Sequence, residues 1–496
     1  MKTRCLGFLV AVLMTTGCRL SSADFLPTWN AGYRGDIPEL PVVIEIDASA
    51  IRTQGHVAIQ AAIDNASAPG AVLLPPGVFE LHGPIALRSG IVLRGASPGT
   101  THLKFHPLPA ETFAGPVRPA FGAIRFEGTK HPKEYTLRAG FERGSDQLSL
   151  DDLTGLSAGQ MVLIFSENDP ELLYTDPRWD RDWALQSLAQ IVEIVAVQDG
   201  SITLDTPLRL AYQAELDPRL LIIDPIEQAG VEDLTVENLD PESHNIIGLE
   251  NAQNCWVRRC ESINTARGHI WVNFSRFITI AENEVHHSFS YGGGGAGYGI
   301  VAGNIATDCL ITDNILHQLR HALMVKRGAN GNVFSYNYSF ERRREPEGSR
   351  LLCDISLHGH YPYQNLFEGN VVEFIELADY WGPTGPRTTF LRNHVQTSIS
   401  LLDHSHQAIF LGNRITESGF TTDGTSQDLI LGGNTLSGGK TLPSIINVET
   451  IPDSAYRTSP PENWGGLPWP VLADPTADGT LIPAQRRWQE TPPDDD

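Results

Sequence analysis

The sequence predicts an all-β fold: a right-handed parallel β-helix with an N-terminal capping helix and an inserted small β subdomain. The first observation is a repeat, because seven short segments between residues 276 and 436 each align on one asparagine. Successive asparagines are 31, 23, 33, 23, 20 and 21 residues apart, and such periods are typical of stacked solenoid coils. The aligned residues are Asn283, Asn314, Asn337, Asn370, Asn393, Asn413 and Asn434.

The second observation is a set of apolar residues at one fixed position of every repeat, three residues before the asparagine. Such a row is what the interior of a solenoid requires. The segments are short and rich in β-branched and aromatic residues, without the apolar stripe of a helix. We therefore predict a monomer of about ten coils. The aligned apolar residues are Ile280, Ile311, Phe334, Phe367, Phe390, Phe410 and Leu431.

The third observation is the segment HVAIQAAIDNASAPGAVLLPPGVFELHGPIALRSGIVLRGA, residues 56–96, a short amphipathic helix followed by strands with Gly/Pro turns. It resembles the opening of right-handed β-helix proteins of the pectate-lyase superfamily. The resemblance covers residues 40–110 and, more loosely, 226–445. It implies that the helix caps the first coil, and the superfamily includes polysaccharide lyases, glycoside hydrolases, and phage or adhesin proteins.

These patterns divide the chain into five segments. Residues 1–18 are a signal peptide, 24–110 the cap and first coils, and 226–445 the coils that carry a groove. Residues 111–225 interrupt the repeat with antiparallel strand patterns and form the inserted subdomain. Residues 446–496 are rich in proline but keep Trp464, Trp469 and Trp488, which predicts a strap packed along the helix.

The amino terminus predicts export. Lys2 and Arg4 precede an apolar run over residues 6–14 that is too short to span a bilayer. The run ends at Gly17-Cys18, which resembles the junction of a bacterial lipoprotein signal with Cys18 as the lipidated residue, although Thr15 departs from that pattern. We expect a lipoprotein of the outer membrane or cell surface; the alternative is an ordinary secretory signal and a periplasmic or secreted protein.

Composition limits the classes of function. With Lys+Arg 36 against Asp+Glu 59, the net charge of −23 argues against a nucleic-acid partner, and 41% hydrophobic residues argue against disorder. Four cysteines beyond the signal lack zinc-ligand spacing and are expected to be small buried residues, with their disulfide state left open. No cofactor or metal is predicted, and a calcium ion is left open. These cysteines are Cys255, Cys260, Cys309 and Cys353.

A candidate active site follows from counting back along each repeat. Sixteen residues before four successive ladder asparagines stand Arg267, Tyr298, His321 and Asp354, which strand alternation places on the outer surface in one column. A glycine-rich loop at 291–297 and an Arg/Glu-rich loop at 341–348 follow the asparagines on either side of the coil with His321. Loops beside a row of polar side chains predict a groove.

Neighbouring outward rows extend the candidate site. The row two residues further along the strands contains His269 and Asp379, and the next contains Trp271, His358 and Trp381. Indole rings suit stacking on sugar faces, so we predict substrate binding by His269, Trp271, Lys326, His358 and Trp381.

Two chemistries are compatible with these residues. In β-elimination on a uronic-acid polymer, Arg267 binds the carboxylate while His321 and Tyr298 act as base and acid, or the reverse, and Asp354 orients the imidazole of His321. Arg320 and Lys326 are reserve cations.

In the alternative, inverting glycoside hydrolysis, Asp354 and Asp379 act as a pair about 8 Å apart, within the range of about 6.5–9.5 Å for such enzymes. The paired-Asp motif of polygalacturonase-like hydrolases is absent, so a polysaccharide lyase is favoured. An alternative of another class is a non-catalytic glycan-binding or adhesin β-helix. The sequence does not identify the polymer or distinguish endo from exo cleavage.

The signal predicts a specific effect of replacing Cys18 by alanine. Without the thiol no lipid can be attached, so Cys18→Ala expressed in a bacterial host should leave the membrane fraction and appear in the soluble exported fraction. Immunoblotting of fractionated cells measures this. Membrane association equal to that of the wild type would contradict the lipid anchor.

Overall fold

The computed structural model describes residues 25–107, 122–174, 176–242, 245–292, 295–345, 352–377, 381–402, 404–417, 419–442, 451–467, 469–470 and 481–490. Its main body is a parallel β-helix whose coils each contribute strands to three faces. The predicted fold class is confirmed, including the helical cap and the small β subdomain. Among the described residues no helix is both long and apolar enough to cross a membrane.

Face 1 is a parallel sheet of twelve strands, somewhat more than the ten coils predicted. Its strands are Val42–Glu45, Gly70–Leu73, Ile91–Arg94, Gly230–Glu232, Trp256–Arg258, Thr279–Ala281, Leu310–Thr312, Val333–Ser335, Leu366–Glu368, Thr389–Leu391, Ile409–Leu411 and Ile430–Gly432.

Faces 2 and 3 belong to one sheet of eighteen strands. Face 2 contains Gly77–Leu81, Thr101–Phe105, Thr235–Asn238, Glu261–Thr265, Glu284–Ser288, Ile315–His317, Tyr338–Phe340 and Arg414–Ile415. Face 3 contains Ile85–Ala86, Gly122–Glu127, Asn245–Glu250, Gly268–Asn273, Tyr298–Ala302, His321–Val325, Ile355–Leu357 and Gly419–Thr422. Two longer strands pass from face 2 into face 3, namely Val371–Leu377 and His394–Leu401.

The corner between faces 1 and 2 is built the same way in successive coils, and we call it the ladder corner. A residue with positive φ, such as Asp313 (55°) or Gly369 (64°), is followed by the ladder asparagine. Each asparagine Nδ2 donates to the Oδ1 of the next asparagine at 2.9–3.0 Å and to a backbone carbonyl of the preceding coil at 2.8–3.1 Å where those partners exist. The buried amides are therefore satisfied only by one another and by the backbone.

The interior repeats from coil to coil as the sequence predicts. Phe334, Phe367, Phe390 and Phe410 stack with ring centroids 4.8–5.0 Å apart, which confirms the predicted phenylalanine stack. Each ring is fully buried or nearly so. Successive offset-parallel aromatic rings stabilise neighbouring coils beyond the burial of their area.

The inserted subdomain is a closed antiparallel barrel between a face 3 strand and the next face 1 strand, at what we call the barrel corner. Arg276, only 1% exposed, joins the barrel to the coils by binding Asp205 at 2.9 Å and Asp308 at 3.0 Å. The boundaries drawn from the sequence remain predictions. The barrel strands are Thr129–Ala139, Gln147–Leu150, Met161–Phe165, Ala189–Gln198, Ser201–Leu204 and Arg219–Asp224, and a separate two-stranded pair beside the coils is Ile226–Glu227 with Ala252–Gln253.

Helices and straps close the solenoid. Helices α1 (Ala48–Gln54) and α2 (His56–Asn65) bury Ile51, Ile59 and Ile63 over the first coil. The short helix α3 (Pro170–Leu173) belongs to the barrel segment, and α4 (Pro483–Glu490) packs beside face 2. The 3₁₀ turns are Pro177–Trp179, Asp182–Ala184, Ala214–Leu216, Ser437–Gly439 and Glu462–Trp464.

Two extended segments cross the ladder side of the solenoid. Near the amino terminus, Phe25 and Trp29 pack on the outer surface of face 1, where Trp29 Nε1 donates to the carbonyl oxygen of Gln364 at 2.7 Å. Near the carboxyl terminus, Trp464 is 2% exposed and packs on Tyr336 with ring centroids 4.8 Å apart.

The ladder predicts the effect of removing one central rung. Asn337→Ala leaves the backbone N–H and Nδ2 of Asn314 without their acceptor, and each buried unsatisfied group costs about 1–3 kcal/mol. We expect the free energy of unfolding to fall by about 3 kcal/mol, measured by denaturant titration. The matched control is Asn65→Ala, an exposed helical position, which should change it by less than about 0.5 kcal/mol. Equal stability of the two variants would contradict the role assigned to the ladder.

Candidate functional site

The candidate site is a groove on the outer surface of face 3, bounded by different corners on its two sides. On one side, the loop residues 289–292, 295–297 and 341–345 lie at the corner between faces 2 and 3, which we call the loop corner. The two loops touch, because the Glu345 carboxylate accepts hydrogen bonds from Ser290 Oγ at 2.7 Å and Tyr291 N at 3.1 Å. On the other side, residues 170–187 of the barrel segment dock on the coils through Arg327 Nη2, which donates to the Leu185 carbonyl oxygen at 2.8 Å.

The strand pairing defines which side chains line the groove floor. Trp271 pairs with Val301, Val301 with Met324, Met324 with Ser356, and Ser356 with Glu376. This floor row alternates with inward rows that pack in the core, such as Ile270, Ile300, Leu323, Ile355 and Ile375.

The indole of Trp271 lies flat on the floor and has no exposed surface. Glycines leave it room, since a Cβ at Gly268 would lie 2.9 Å and one at Gly303 2.6 Å from indole atoms. Its Nε1 donates to Asn273 Oδ1 at 3.1 Å. A ring covered in this way cannot stack on a sugar unless the groove rearranges, so the predicted stacking role of Trp271 is wrong for this arrangement.

Beside Trp271, the structure brings together a tyrosine, two histidines and an arginine. Tyr298 pairs with His321 across the strands, and the two ring centroids are 5.3 Å apart. His358 completes a triangle, at 6.2 Å from Tyr298 and 6.1 Å from His321. Arg320 Nη2 donates to the Tyr298 hydroxyl at 2.8 Å, which stabilises negative charge on that oxygen.

Burial controls the charge of both histidines. His321 has no exposed surface, and burial together with the charge of Arg320 lowers its pKa to about 3. Its Nδ1 lies 3.2 Å from the Cys353 carbonyl oxygen and 3.3 Å from Cys353 Sγ, and its Nε2 has no hydrogen-bond partner among the described residues. Burial and the charge of Lys326 also lower the pKa of His358 well below its usual value. Both rings are neutral near pH 7.

Two further cations reach the groove across the rings. The Arg267 guanidinium carbon is 5.4 Å and Lys326 Nζ 4.8 Å from the Trp271 ring centroid. The glycine-rich loop packs directly on the arginines, because a Cβ at Gly295 would lie 3.0 Å from Arg267 Nη2, and Arg320 Nε donates to the Ala296 carbonyl oxygen at 3.0 Å. Partial burial lowers the pKa of Arg267. Arg267, Lys326 and His358 are half-buried and present the accessible part of the cluster.

Asp354 does not lie in this cluster, which corrects the predicted column and its role in orienting His321. It is 1% exposed, and its carboxylate accepts hydrogen bonds from Ser339 Oγ at 2.6 Å and from the backbone N–H groups of Glu373 and Phe374 at 3.0 and 2.7 Å. Burial raises its pKa to about 6. Asp354 thus holds the inside of the loop corner together, and the carboxylate pair predicted with it is not supported.

His269 is also inside the solenoid, not in the groove. It has no exposed surface, and its ring nitrogens lie 2.9 Å from Ser262 Oγ and 2.9 Å from the His287 carbonyl oxygen. The predicted substrate contact of His269 is therefore wrong for this arrangement.

The predicted rows fail partly because the number of residues between the floor row and the ladder varies. Trp271 stands 12 residues before its asparagine, Met324 13, Ser356 14 and Glu376 17. Counting back by a constant number therefore misses Met324 and Glu376.

Asp354 and His269 stand two residues before Ser356 and Trp271, which strand alternation would place on the same side. They lie inside because alternation does not hold where the chain enters face 3: Asp354 precedes Ile355–Leu357, and His269 is the second residue of Gly268–Asn273. Asp379 and Cys18 lie outside the described residues.

The barrel segment adds an aromatic group to the groove. Trp381, half-buried, lies 5.4 Å from Trp183 and 6.2 Å from His360 between ring centroids. Trp183 is 43% exposed, and Lys326 Nζ is 5.4 Å from its ring centroid. Trp183 was not predicted, because only the docking of the barrel segment brings it to the groove. Glu376, also on the floor row, was missed because its distance to the ladder differs from that of the other coils. Ser356 lies on the predicted outward row of His269 and Asp379 but was not among the candidate site residues.

Comparisons with known proteins concern the fold. No protein-family model matches the chain, and no curated protein sequence matches it. Among solved structures, the tailspike gp61 of Pseudomonas phage phi297 has a TM-score of 0.52 at 12% identity, over 79% of this chain and 71% of the tailspike. This likeness supports the pectate-lyase-like parallel β-helix fold, while membership of that superfamily stays a prediction.

Two further solved structures are more distant in shape. The tailspike gp49 of Pseudomonas phage LKA1 has a TM-score of 0.45 at 14% identity, over 86% of this chain and 82% of that protein. The catalytic domain of a GH87 alpha-1,3-glucanase has a TM-score of 0.45 at 12% identity, over 82% of this chain and 60% of that one.

The burial of His321 predicts how stability depends on pH. Between about pH 6.5 and pH 3 the unfolded chain binds a proton at His321 that the folded chain does not. The free energy of unfolding therefore falls as the pH falls through this range. At about 1.4 kcal/mol per pH unit, the wild type should lose about 2 kcal/mol more than His321→Gln between pH 7 and pH 5. Denaturant titration at both pH values measures this.

The control for that experiment is His131→Gln, whose ring is 41% exposed on the barrel. It should keep the pH dependence of the wild type. If His321→Gln also kept the pH dependence of the wild type, the result would contradict the conclusion that His321 is buried in its neutral form.

Proposed function

We propose that this protein is a polysaccharide lyase that cleaves a uronic-acid-containing polymer by β-elimination in the groove of face 3. The observation that carries the proposal is the convergence of Arg267, Arg320 and Lys326 on a neutral Tyr–His cluster. Such a site binds a carboxylate and offers groups that transfer protons. The resemblance of the amino-terminal segment to the pectate-lyase superfamily is compatible with this class of enzyme, because polysaccharide lyases are among its members.

The substrate carboxylate is placed between Arg267 and Lys326. Neutralising this carboxylate makes the proton on the adjacent C-5 more acidic, which is the first requirement of β-elimination. Both cations are half-buried over the Trp271 ring, where their attraction for an anion is stronger than in bulk water.

Proton transfer is assigned to His358 and Tyr298. The neutral imidazole of His358 takes the C-5 proton, and the bound carboxylate favours the imidazolium that forms. The electron pair of the C–H bond forms the double bond between C-4 and C-5, and the C-4–oxygen bond breaks. The Tyr298 hydroxyl donates its proton to the leaving oxygen, and the Arg320 guanidinium at 2.8 Å stabilises the phenolate that remains.

His321 acts in this scheme as a positioning residue. It packs between Tyr298 and His358 without exposed surface, so it holds the two reacting rings but does not meet the substrate. The sequence suggested His321 as the base; His358 takes that place in the proposal because it keeps exposed surface.

Glycoside hydrolysis remains the second candidate, because one carboxylate does lie on the groove floor. Glu376 occupies the floor row next to Ser356 and is 7% exposed. A hydrolase would require it to act with a second carboxylate across the bound sugar. We also propose that the protein is exported, and anchored through Cys18, which places the groove where extracellular polymers occur.

Product analysis tests the proposal. The purified protein is incubated with polygalacturonate, alginate, a glucuronate-containing polymer and neutral glucan. A lyase creates an unsaturated sugar with new ultraviolet absorbance on at least one polyuronate. New reducing ends without that absorbance would identify a hydrolase, and binding without products would identify a glycan-binding protein; either outcome overturns the proposal.

On the substrate so found, His358→Gln and Tyr298→Phe should each lower kcat by about 10²–10⁴, because each removes one proton-transfer group. Matched controls are His131→Gln on the barrel and Tyr33→Phe on face 1, where Tyr33 packs against Trp256. The controls should keep wild-type kcat. Full activity of both groove variants would show that the reaction takes place in another part of the molecule.

Replacing Arg267 and replacing His321 should have different effects on the kinetic constants. Arg267→Gln should raise KM and also lower kcat, since it removes a contact that both binds the substrate carboxylate and makes the C-5 proton more acidic. His321→Gln should lower kcat and change the pH dependence of kcat through the displaced His358, which a purely structural residue would not do.

A further inference from the structure

A second cluster of ionisable side chains lies on face 2, on the other side of the loop corner from the groove. Glu284 and His286 alternate along one strand, and His286 pairs with His317 on the next. One potential ligand atom from each of these three residues lies within 4.8 Å of the other two. Within the part of the chain that the structure describes, this is the one group of three or more such side chains placed so closely.

The geometry of the cluster brings nitrogen and oxygen donors together. His317 Nε2 is 3.1 Å from Glu284 Oε1, and His286 Nε2 is 3.4 Å from Oε1 of Glu261, the residue paired with Glu284 in the preceding coil. Ligand atoms around a tetrahedral metal with bonds of about 2.0–2.2 Å are about 3.3–3.6 Å apart, so both pairs are within a few tenths of an ångström of that separation.

The imidazoles are held by their surroundings. The rings of His286 and His317 are stacked with centroids 4.8 Å apart and an interplanar angle of 10°, and Phe340 continues the stack at 5.1 Å. Trp488 of helix α4 covers His317 with ring centroids 4.8 Å apart. The histidines therefore sit on rigid strands under a partial apolar cover, which favours binding over hydration.

One imidazole also has its second nitrogen engaged. His286 Nδ1 lies 2.6 Å from His287 Nδ1, so the two share a proton. When the shared proton lies on His286 Nδ1, the hydrogen bond fixes the ring and leaves Nε2 as a lone pair available to an ion held between it and the carboxylates. Histidines that bind metals are typically oriented by such a contact of the other ring nitrogen.

From this geometry we propose that Glu284, His286 and His317 bind one divalent transition-metal ion of the zinc type. Glu261 lies nearby and supplies an oxygen as the fourth ligand. Imidazole nitrogens with carboxylate oxygens suit zinc, whereas calcium and magnesium prefer oxygen ligands alone. The ion fastens adjacent coils three residues before Phe289, where the loop that packs on Arg267 and Arg320 begins. The proposal is independent of the reaction assigned to the groove.

The alternative is a ladder of ion pairs without a metal, in which His286 pairs with Glu261 and His317 with Glu284. The experiment must distinguish this ladder from a metal site. The mature chain is prepared without a histidine tag, treated with a chelator and dialysed into metal-free buffer at pH 7.5. Titration calorimetry with Zn²⁺ alone should show one ion per chain with a Kd of about 1 μM or below. Binding of Co²⁺ should give the intense visible absorption of a four-coordinate site, and Ca²⁺ and Mg²⁺ should not compete.

Variants locate the ion. Glu284→Gln and His317→Gln should each weaken Zn²⁺ binding at least tenfold and reduce the visible absorption of Co²⁺. Glu284 is 36% exposed, so its variant should fold even if replacement of the more buried His317 disturbs the stack. The matched control is His131→Gln. It removes a histidine–aspartate pair on the barrel that has no third ligand, so this variant should bind Zn²⁺ as the wild type does.

The proposal predicts a rise in melting temperature on Zn²⁺ addition to the wild type and the control, and a smaller rise in Glu284→Gln. Absence of stoichiometric Zn²⁺ binding, or unchanged affinity in both Glu284→Gln and a folded His317→Gln, would overturn it and leave the cluster as an ion-pair ladder.

Discussion

The hydrogen-bonded asparagine ladder is the constraint on which the rest of the molecule depends. Its side chains bond only to one another and to the backbone, so the turn between faces 1 and 2 has the same geometry from Asn283 to Asn434. Differences in coil length must therefore be accommodated at the other two corners. The loops at 289–297 and 341–345 use one of these corners, and the barrel uses the other. The groove lies on face 3 because that face alone is bounded by both variable corners.

The same constraint explains which parts of the structure could be predicted from the sequence. The ladder repeats with a fixed local pattern, so Phe334, Phe367, Phe390 and Phe410 could be placed in one stack. Side chains on face 3 are separated from the ladder by a turn of variable length, and pairing across that turn is decided by packing. Asp354 and His269 stand where the chain enters face 3, and strand alternation does not predict that their side chains lie inside. Trp183 could not be assigned at all, because its position depends on the docking of a separate domain.

The charge of Arg320 acts on both Tyr298 and His321 in the groove. Its guanidinium binds the Tyr298 hydroxyl and at the same time disfavours protonation of the buried His321. In a medium of low dielectric constant both effects are stronger than they would be at the surface. Two glycines of the loop make this possible, since a Cβ at Gly295 would lie 3.0 Å from Arg267 Nη2 and one at Gly297 3.1 Å from Arg320 Cβ. The glycine-rich segment thus lets positive charge lie close to aromatic rings.

The amino-terminal segment has a consequence for how the molecule is oriented. Phe25 and Trp29 lie against face 1, and Arg387 Nη2 donates to the Phe25 carbonyl oxygen at 3.1 Å. The described chain therefore begins against face 1, whereas the groove opens on face 3. Attachment of the protein to a surface from the side of face 1 would leave the groove unobstructed, and a long polymer could lie along the coils without competing with the attachment for the same side of the protein.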